Sequence, residues 1–213
     1  THSRMPTSGE VRIWDLTGPT PKDTGIVLPD IENVVCDYNY PKLIAVGLDD
    51  TVTIFDPAVN DPAGAGQTIG KHQIDSILAR TKMVLSPDTR WLVTVCQTTE
   101  RADVGLQINV WDLQAKDIAK SQQILNGRQR YMHGNGVVID PTSRWLVSAG
   151  GFSVNENSDQ DTVTIWDLHA KDMEASARNI KSTDDVWQVA ASPNCRWLFT
   201  SRMNGVIQLW DLR

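Results

Sequence analysis

The hexapeptide VTIWDL at 163–168 has four close relatives in the chain: VRIWDL at 11–16, VTIFDP at 52–57, INVWDL at 108–113 and IQLWDL at 207–212. Each alternates apolar and polar residues, the period of a half-buried strand, and each closes on an aromatic residue followed by Asp. The closing residues Asp15, Asp56, Asp112, Asp167 and Asp211 recur at intervals of 41, 56, 55 and 44. Short strands repeating at that spacing restrict the chain to an array of small, similar sheets. Two more strand-like runs precede each of the last four hexapeptides: NVVCDY and KLIAVGL, KMVLS and RWLVTVC, GVVID and RWLVSAG, WQVAAS and RWLFTS. The turns between them are NYP at 39–41, PDT at 87–89, PTS at 141–143 and PNC at 193–195. Their residues set φ or bond back to the backbone, as a tight hairpin requires. After every hexapeptide but the last, a polar linker leads to a fourth short strand, near 25–29, 66–70, 121–125 and 177–181. The unit is a meander of four antiparallel strands, a to d, with the hexapeptide on strand c.

The segments LSPDTRWLVTV and ASPNCRWLFTS, taken with the hexapeptides, resemble the WD-repeat β-propeller family over essentially the whole chain. The linkers WDLQAKDIAKS and WDLHAKDMEAS are similar to those of bacterial, planctomycete-type WD-repeat proteins. The resemblance implies an all-β propeller of four-stranded antiparallel blades, in one segment spanning 1–213. Three blades are complete, at about 31–70, 74–126 and 134–182, and two are partial, at 1–29 and 185–213. The opening THSRM before VRIWDL matches FTSRM before IQLWDL, so both ends carry a strand c. The expectation is a section of a longer chain whose full ring, by resemblance, has about seven blades.

Composition excludes several classes. With 40% apolar and 22% charged residues, the chain has the make-up of a folded globular protein. No apolar run approaches the roughly 18 residues of a spanning helix, and the N-terminus lacks the basic-then-apolar pattern of an export signal. A cytoplasmic location is the expectation. A net charge of -6 argues against duplex nucleic acid or anionic lipid as the partner. Cys36, Cys96 and Cys195 lie far apart with no C-x-x-C spacing and read as buried thiols.

In the family that the chain resembles, the hexapeptide Trp donates its indole N–H into a network with a Ser or Thr of strand b, a His and an Asp. The resemblance therefore makes Trp14, Asp15, Phe55, Asp56, Trp111, Asp112, Trp166, Asp167, Trp210 and Asp211 structural residues. Its further members here would be Asp50, Asp161, Thr94, Ser148, Thr200 and His72, a set that is incomplete in every blade. There is no G-x-S-x-G, no H-E-x-x-H and no phosphate-cradling G-x-x-x-x-G-K. His2, His72, His133 and His169 fall in different loops, and Asn33, Thr81, Asn135 and Trp187, at the starts of strands a, supply neither an acid–base pair nor a metal site. No enzymatic activity, cofactor or metal is expected. The alternatives are a propeller hydrolase or lyase whose channel site other blades complete, and a regulatory module of a larger protein.

Loop length carries the better functional signal. The connection from strand b to strand c is short at LDDT and MNG but swells to QTTERADVG at 97–105 and GFSVNENSDQD at 151–161. The d-to-a loop NGRQRYMHGNG at 126–136 belongs to the same face. Arg128, Arg130, Tyr131 and His133, with Arg101, Phe152 and Trp187, are the candidate partner-binding residues, since Arg and Tyr anchor interfaces and loops on rigid scaffolds carry recognition. The reading is a non-catalytic protein–protein interaction scaffold whose partners are proteins and the remaining blades of its own longer chain, without nucleic acid or membrane. The linkers of the other face, with Lys116, Asp117, Lys171 and Asp172, read as solvated. In the Arg-Trp pairs at 90–91, 144–145 and 196–197 the Trp is expected to pack between blades and the Arg to snorkel or pair with a turn carboxylate.

Overall fold

A computed structural model describes residues 9–37, 39–71, 82–97, 106–127, 136–150, 161–181, 186–194, 196–202 and 204–212. Its regular structure is all β apart from two single turns of 3-10 helix, Ala119–Ser121 and Glu174–Ser176. Five antiparallel sheets follow one another along the chain. The first is the pair β1 (Glu10–Asp15) and β2 (Lys22–Pro29). The second holds β3 (Ile31–Asp37), β4 (Tyr40–Gly47), β5 (Thr51–Phe55) and β6 (Gln67–Lys71). The third holds β7 (Lys82–Leu85), β8 (Trp91–Gln97), β9 (Leu106–Asp112) and β10 (Gln123–Gly127). The fourth holds β11 (Val137–Ile139), β12 (Trp145–Ala149), β13 (Asp161–Asp167) and β14 (Arg178–Lys181), and the last β15 (Val186–Ala191), β16 (Trp197–Arg202) and β17 (Ile207–Asp211). Neighbours in sequence are neighbours in each sheet, so every blade is a plain meander, and the hexapeptides lie on β1, β5, β9, β13 and β17.

The chain divides into two compact units, Thr1–Gln73 and Ile74–Arg213. In the first, Leu28, Ile31, Ala45 and Phe55 form one buried cluster, with Val11 and Leu43 against it. Phe55 sits where the other hexapeptides carry Trp. Gly66 faces its ring so closely that a Cβ there would stand 2.7 Å from Cε1. Cys36 is exposed, contrary to the reading of all three cysteines as buried. Period-two alternation on β3 puts it on the solvent side with Glu32 and Val34. Cys96 is buried.

In the second unit, one face of each sheet packs on the opposite face of the next. Trp91, Val93 and Val95 of β8, with Ile108 and Val110 of β9, meet Leu146, Trp166, Leu168 and Met173 of the following sheet. Val147, Ala149, Val163 and Ile165 then meet Val186, Val189 and Leu198, with Trp210 and Leu212 alongside. Sheets buried on both faces need apolar residues at successive positions, which is why WLVTVC and WLVSA run on without clean alternation. Two hydrogen bonds cross between the third and fourth sheets: Asp88 N–H donates to Ser143 Oγ at 3.0 Å, and Asn126 N–H to Glu174 Oε2 at 3.1 Å.

The hairpin turns before β8, β12 and β16 solve one problem with different residues. Trp91 N–H donates to Ser86 Oγ, Trp197 N–H to Ser192 Oγ, and Trp145 N–H to Asp140 Oδ1. Asp140 also accepts from Arg144 N–H and Thr142, while in the other two turns Asp88 and Asn194 accept from the backbone N–H of Arg90 and Arg196. Thr89 and Ser143 take the left-handed conformation that closes the turn, with φ of 59° and 60°.

Candidate functional site

Strand register decides what the Arg-Trp pairs do. Trp91, Trp145 and Trp197 lie directly across from Asp112, Asp167 and Asp211, the aspartates of the hexapeptides. The arginine one residue earlier therefore reaches that carboxylate instead of a turn carboxylate. Arg90, Arg144 and Arg196 each bring Nε and Nη2 to the Asp, with Nη2–Oδ2 distances of 2.8, 2.8 and 3.0 Å. Each guanidinium also stacks on its own Trp, 4.5, 4.9 and 4.3 Å from the ring centroid. The Asp keeps a second task, because Asp112 Oδ1 and Asp167 Oδ1 accept the backbone N–H two residues on. Its own N–H donates to Ser121 Oγ or Ser176 Oγ, which fixes the linker's 3-10 turn. The Arg144 hydrogen bond holds the Asp167 carboxyl below its ordinary value; burial opposes this, and the His169 N–H and the Arg144 charge add to it. These pairs are half-open to water, so each contributes about 0–1 kcal/mol.

The hexapeptide indoles divide by environment. Trp111 and Trp166 are fully buried, Trp210 is half-buried and Trp14 is 51% exposed. Trp210 Nε1–H donates to Thr200 Oγ1 at 3.0 Å, the strand-b link that the resemblance implied. Trp166 Nε1, Trp91 Nε1 and Thr94 Oγ1 are buried with no hydrogen-bond partner among the described residues. In the first unit Asp15 and Asp56 only cap their local turns, through Thr17 N–H and Ala58 N–H.

Of the candidate partner-binding residues, Arg101, Arg128, Arg130, Tyr131, His133 and Phe152 lie outside the described residues, as do His72, Thr81 and Asn135. Trp187 is half-buried on β15. The residues that bracket the three long connections are described. Gln97 pairs with Leu106 and Leu106 with Gly127, while Gly136 accepts from Ala149 N–H and Ala149 pairs with Val163. The described residues that flank 98–105, 128–135 and 151–160 thus all lie at one end of the third and fourth sheets.

At the other end of the same two sheets is a cleft of about 450 Å³. Arg90, Trp91, Asp112 and the segment Lys120–Gln123 form one wall, and Leu168, His169, Ala170 and Met173 the other. His169 lies 6.3 Å from the Trp91 ring, centroid to centroid. The residues of this cleft were visible in sequence only as separate Arg-Trp pairs and mixed-charge linkers, because their meeting depends on how one blade seats on the next. A cleft of about 400 Å³ in the first unit is lined by Asp30, Asp49, Thr51 and Phe55 among others. There the Asp49 carboxylate is occupied by Thr51 Oγ1–H at 2.7 Å. Among the described residues no three His, Cys, Asp or Glu side chains could hold a metal together, and no helix is long and apolar enough to cross a membrane.

The stretch from β14 to β17 carries a family match. Residues 177–211 match the family "WD domain, G-beta repeat". The chain carries a WD40 repeat. Solved structures extend the likeness, as one of fold, to most of the chain. The β-propeller domain of Myceliophteria thermophila Cps50 (Swd1) superimposes with a TM-score of 0.57 at 16% identity, covering 95% of this chain and 64% of that one. A chain of the mitotic checkpoint complex gives 0.53 at 17% identity, with 90% and 55% covered. Kuenenia stuttgartiensis hydrazine synthase gives 0.51 at 12% identity, with 85% and 53% covered. The chain therefore spans just over half to about two thirds of the length of these structures, and at such identity the likeness is one of fold. No curated protein matches it by sequence.

Proposed function

We propose that this WD40 chain is a non-catalytic protein–protein interaction scaffold that takes a protein partner on the end of its blades where the long connections gather. The observation that carries this reading is the register that brings the bases of 98–105, 128–135 and 151–160 to one end of two packed sheets. Sheets buried on both faces leave specificity to loops, and a rigid platform lowers the entropy lost when such loops engage. Two of the similar folds support it by their descriptions, one a β-propeller domain and one a part of a checkpoint complex.

The test is the triple substitution Arg128→Ala, Arg130→Ala and Tyr131→Ala, with the chain used as bait and captured proteins quantified against the unsubstituted chain. A defined subset of partners should drop out while thermal stability changes by no more than about 0.5 kcal/mol, the usual range for surface positions. An unchanged set of captured proteins would sink the loop-face reading. A second reading, a hydrolase or lyase with a channel site completed by other blades, draws its support from the fold likeness to hydrazine synthase.

A further inference from the structure

We propose that Asn204 is a site of spontaneous covalent modification, where the side-chain amide is lost through a cyclic imide and the product is a mixture of aspartate and isoaspartate. The reaction needs an Asn whose Cγ the backbone nitrogen of the next residue can reach, and a following Gly leaves that nitrogen unshielded by a side chain. The chain has three Asn-Gly pairs, at 126–127, 135–136 and 204–205. The first and last lie among the described residues, and Asn135 lies outside them.

Asn126 and Asn204 are both exposed, so access to water does not distinguish them. Local structure does. Asn204 stands at the tip of the hairpin between β16 and β17, where Arg202 N–H donates to Val206 C=O at 2.9 Å and Gly205 N–H to Arg202 C=O at 3.1 Å. Gly205 is left-handed, with φ of 81°, and beyond its chain neighbours no atom lies within 4 Å of the place a Cβ would take. Asn204 Oδ1 accepts the N–H of Val206 at 3.0 Å, which folds the side chain back along the turn toward the Gly205 nitrogen and polarises Cγ. Nδ2, the leaving group, has no hydrogen-bond partner among the described residues. The attacking nitrogen is engaged by one turn bond, so the reaction waits only on the opening of that bond at an exposed tip. Asn126 is held in the opposite way. It and Gly127 lie on β10 in register with Gln107 and Leu106, and Glu174 takes both its backbone N–H and its Nδ2. An extended strand stands the side chain off the backbone line, away from the next nitrogen.

In the step itself, hydroxide removes the Gly205 amide proton, the nitrogen bonds to Asn204 Cγ, and Nδ2 departs as ammonia with a proton from water. Water then opens the imide at one of its two carbonyls. Opening at Cγ leaves an aspartate, and opening at the backbone carbonyl leaves the chain running through Cγ, one methylene longer. Nothing is oxidised or reduced. Either product adds a carboxylate to the hairpin, and the longer backbone no longer fits its short loop. The hairpin is the b-to-c connection of the fifth sheet, so the new charge would stand at the end of the blades that the proposed partner uses. The modification itself does not rest on that reading.

The test holds the full chain in mildly alkaline buffer over days and follows each Asn-Gly peptide by digestion and mass spectrometry. Isoaspartate is scored by methyl transfer from S-adenosylmethionine with an isoaspartate-directed methyltransferase. In the folded chain the peptide carrying 204 should convert at least about tenfold faster than the one carrying 126, a ratio set by local opening. Both aspartate and isoaspartate should form at 204, faster as pH rises. In urea the two rates should come together, since only the fold separates them. Asn204→Gln should abolish the isoaspartate signal of its own peptide and leave that of 126 unchanged. No conversion at 204, equal rates in the folded chain, a ratio that survives urea, or aspartate without isoaspartate would each overturn the proposal.

Discussion

The two units use the same hexapeptide with different supports. In the second, each WD aspartate sits opposite a Trp, and the arginine before that Trp joins them in a clamp of charge and stacking. In the second sheet of the first unit β4 opens on Tyr40, Pro41 and Lys42 instead, the hexapeptide aromatic is Phe55, and Asp56 caps only its own turn. Asp15 does the same on β1. Asp15, Asp56, Asp112 and Asp167 thus share the turn cap, and the clamp is an addition that appears where an Arg-Trp pair stands across the ladder. The hexapeptide Trp is graded in burial, since Trp166 is fully buried between sheets, Trp210 is half-buried and Trp14 is 51% exposed.

The largest expected effect separates Trp166 from Trp14. Trp166→Ala should cost the second unit about 3 to 5 kcal/mol, through lost burial and the cavity left between sheets. Trp14→Ala should cost about 0.5 kcal/mol or less, as at other open positions. Urea unfolding followed by circular dichroism checks both, and equal losses would break the distinction.

Next comes the hairpin turn that sets the Arg-Trp pair in place. Asp140→Ala removes the acceptor for the N–H groups of Arg144 and Trp145 and should cost about 1 to 3 kcal/mol. Asp140→Ser should recover most of that, because Ser86 and Ser192 do the same job in the sister turns. A serine variant as damaged as the alanine one would show that the turns are not equivalent.

The smallest effect is the clamp itself, read through pH. The Asp167 carboxyl titrates below its ordinary value in the folded chain, chiefly through its bond from Arg144. The stability it adds is present above the unfolded value and lost as pH falls through the folded one, so the loss begins below about pH 4. Arg144→Met should lower the melting temperature slightly near neutrality and flatten its fall below pH 4. An equally steep fall in both proteins would remove the clamp as the cause.

Much of this was legible in the chain. The alternation in IQLWDL and VTIWDL located strand c, and the Pro, Asp and Ser clusters at 87–89 and 141–143 located the hairpins, since turn chemistry and strand period are local properties. The fourth strands near 121–125 and 177–181 were found within about two residues, as β10 and β14. The partner of each Arg was not, because the choice between a turn carboxylate and the motif Asp depends on register across the ladder. Nor was the exposure of Cys36, which depends on the face of β3 that the core takes up. The division at residue 73 also has no marker in composition.

By itself, the sequence determined the repeat, the meander and the all-β character, for each follows from patterns within about 50 residues. Only the tertiary structure decided which aspartates are clamped, which tryptophans are buried, and that Arg90, Lys120 and His169 border one cleft. The clamp follows from register across one ladder, and the other two outcomes arise where one sheet seats on the next. Residues as far apart as Arg90 and His169 become neighbours there through packing, and no short-range pattern records it.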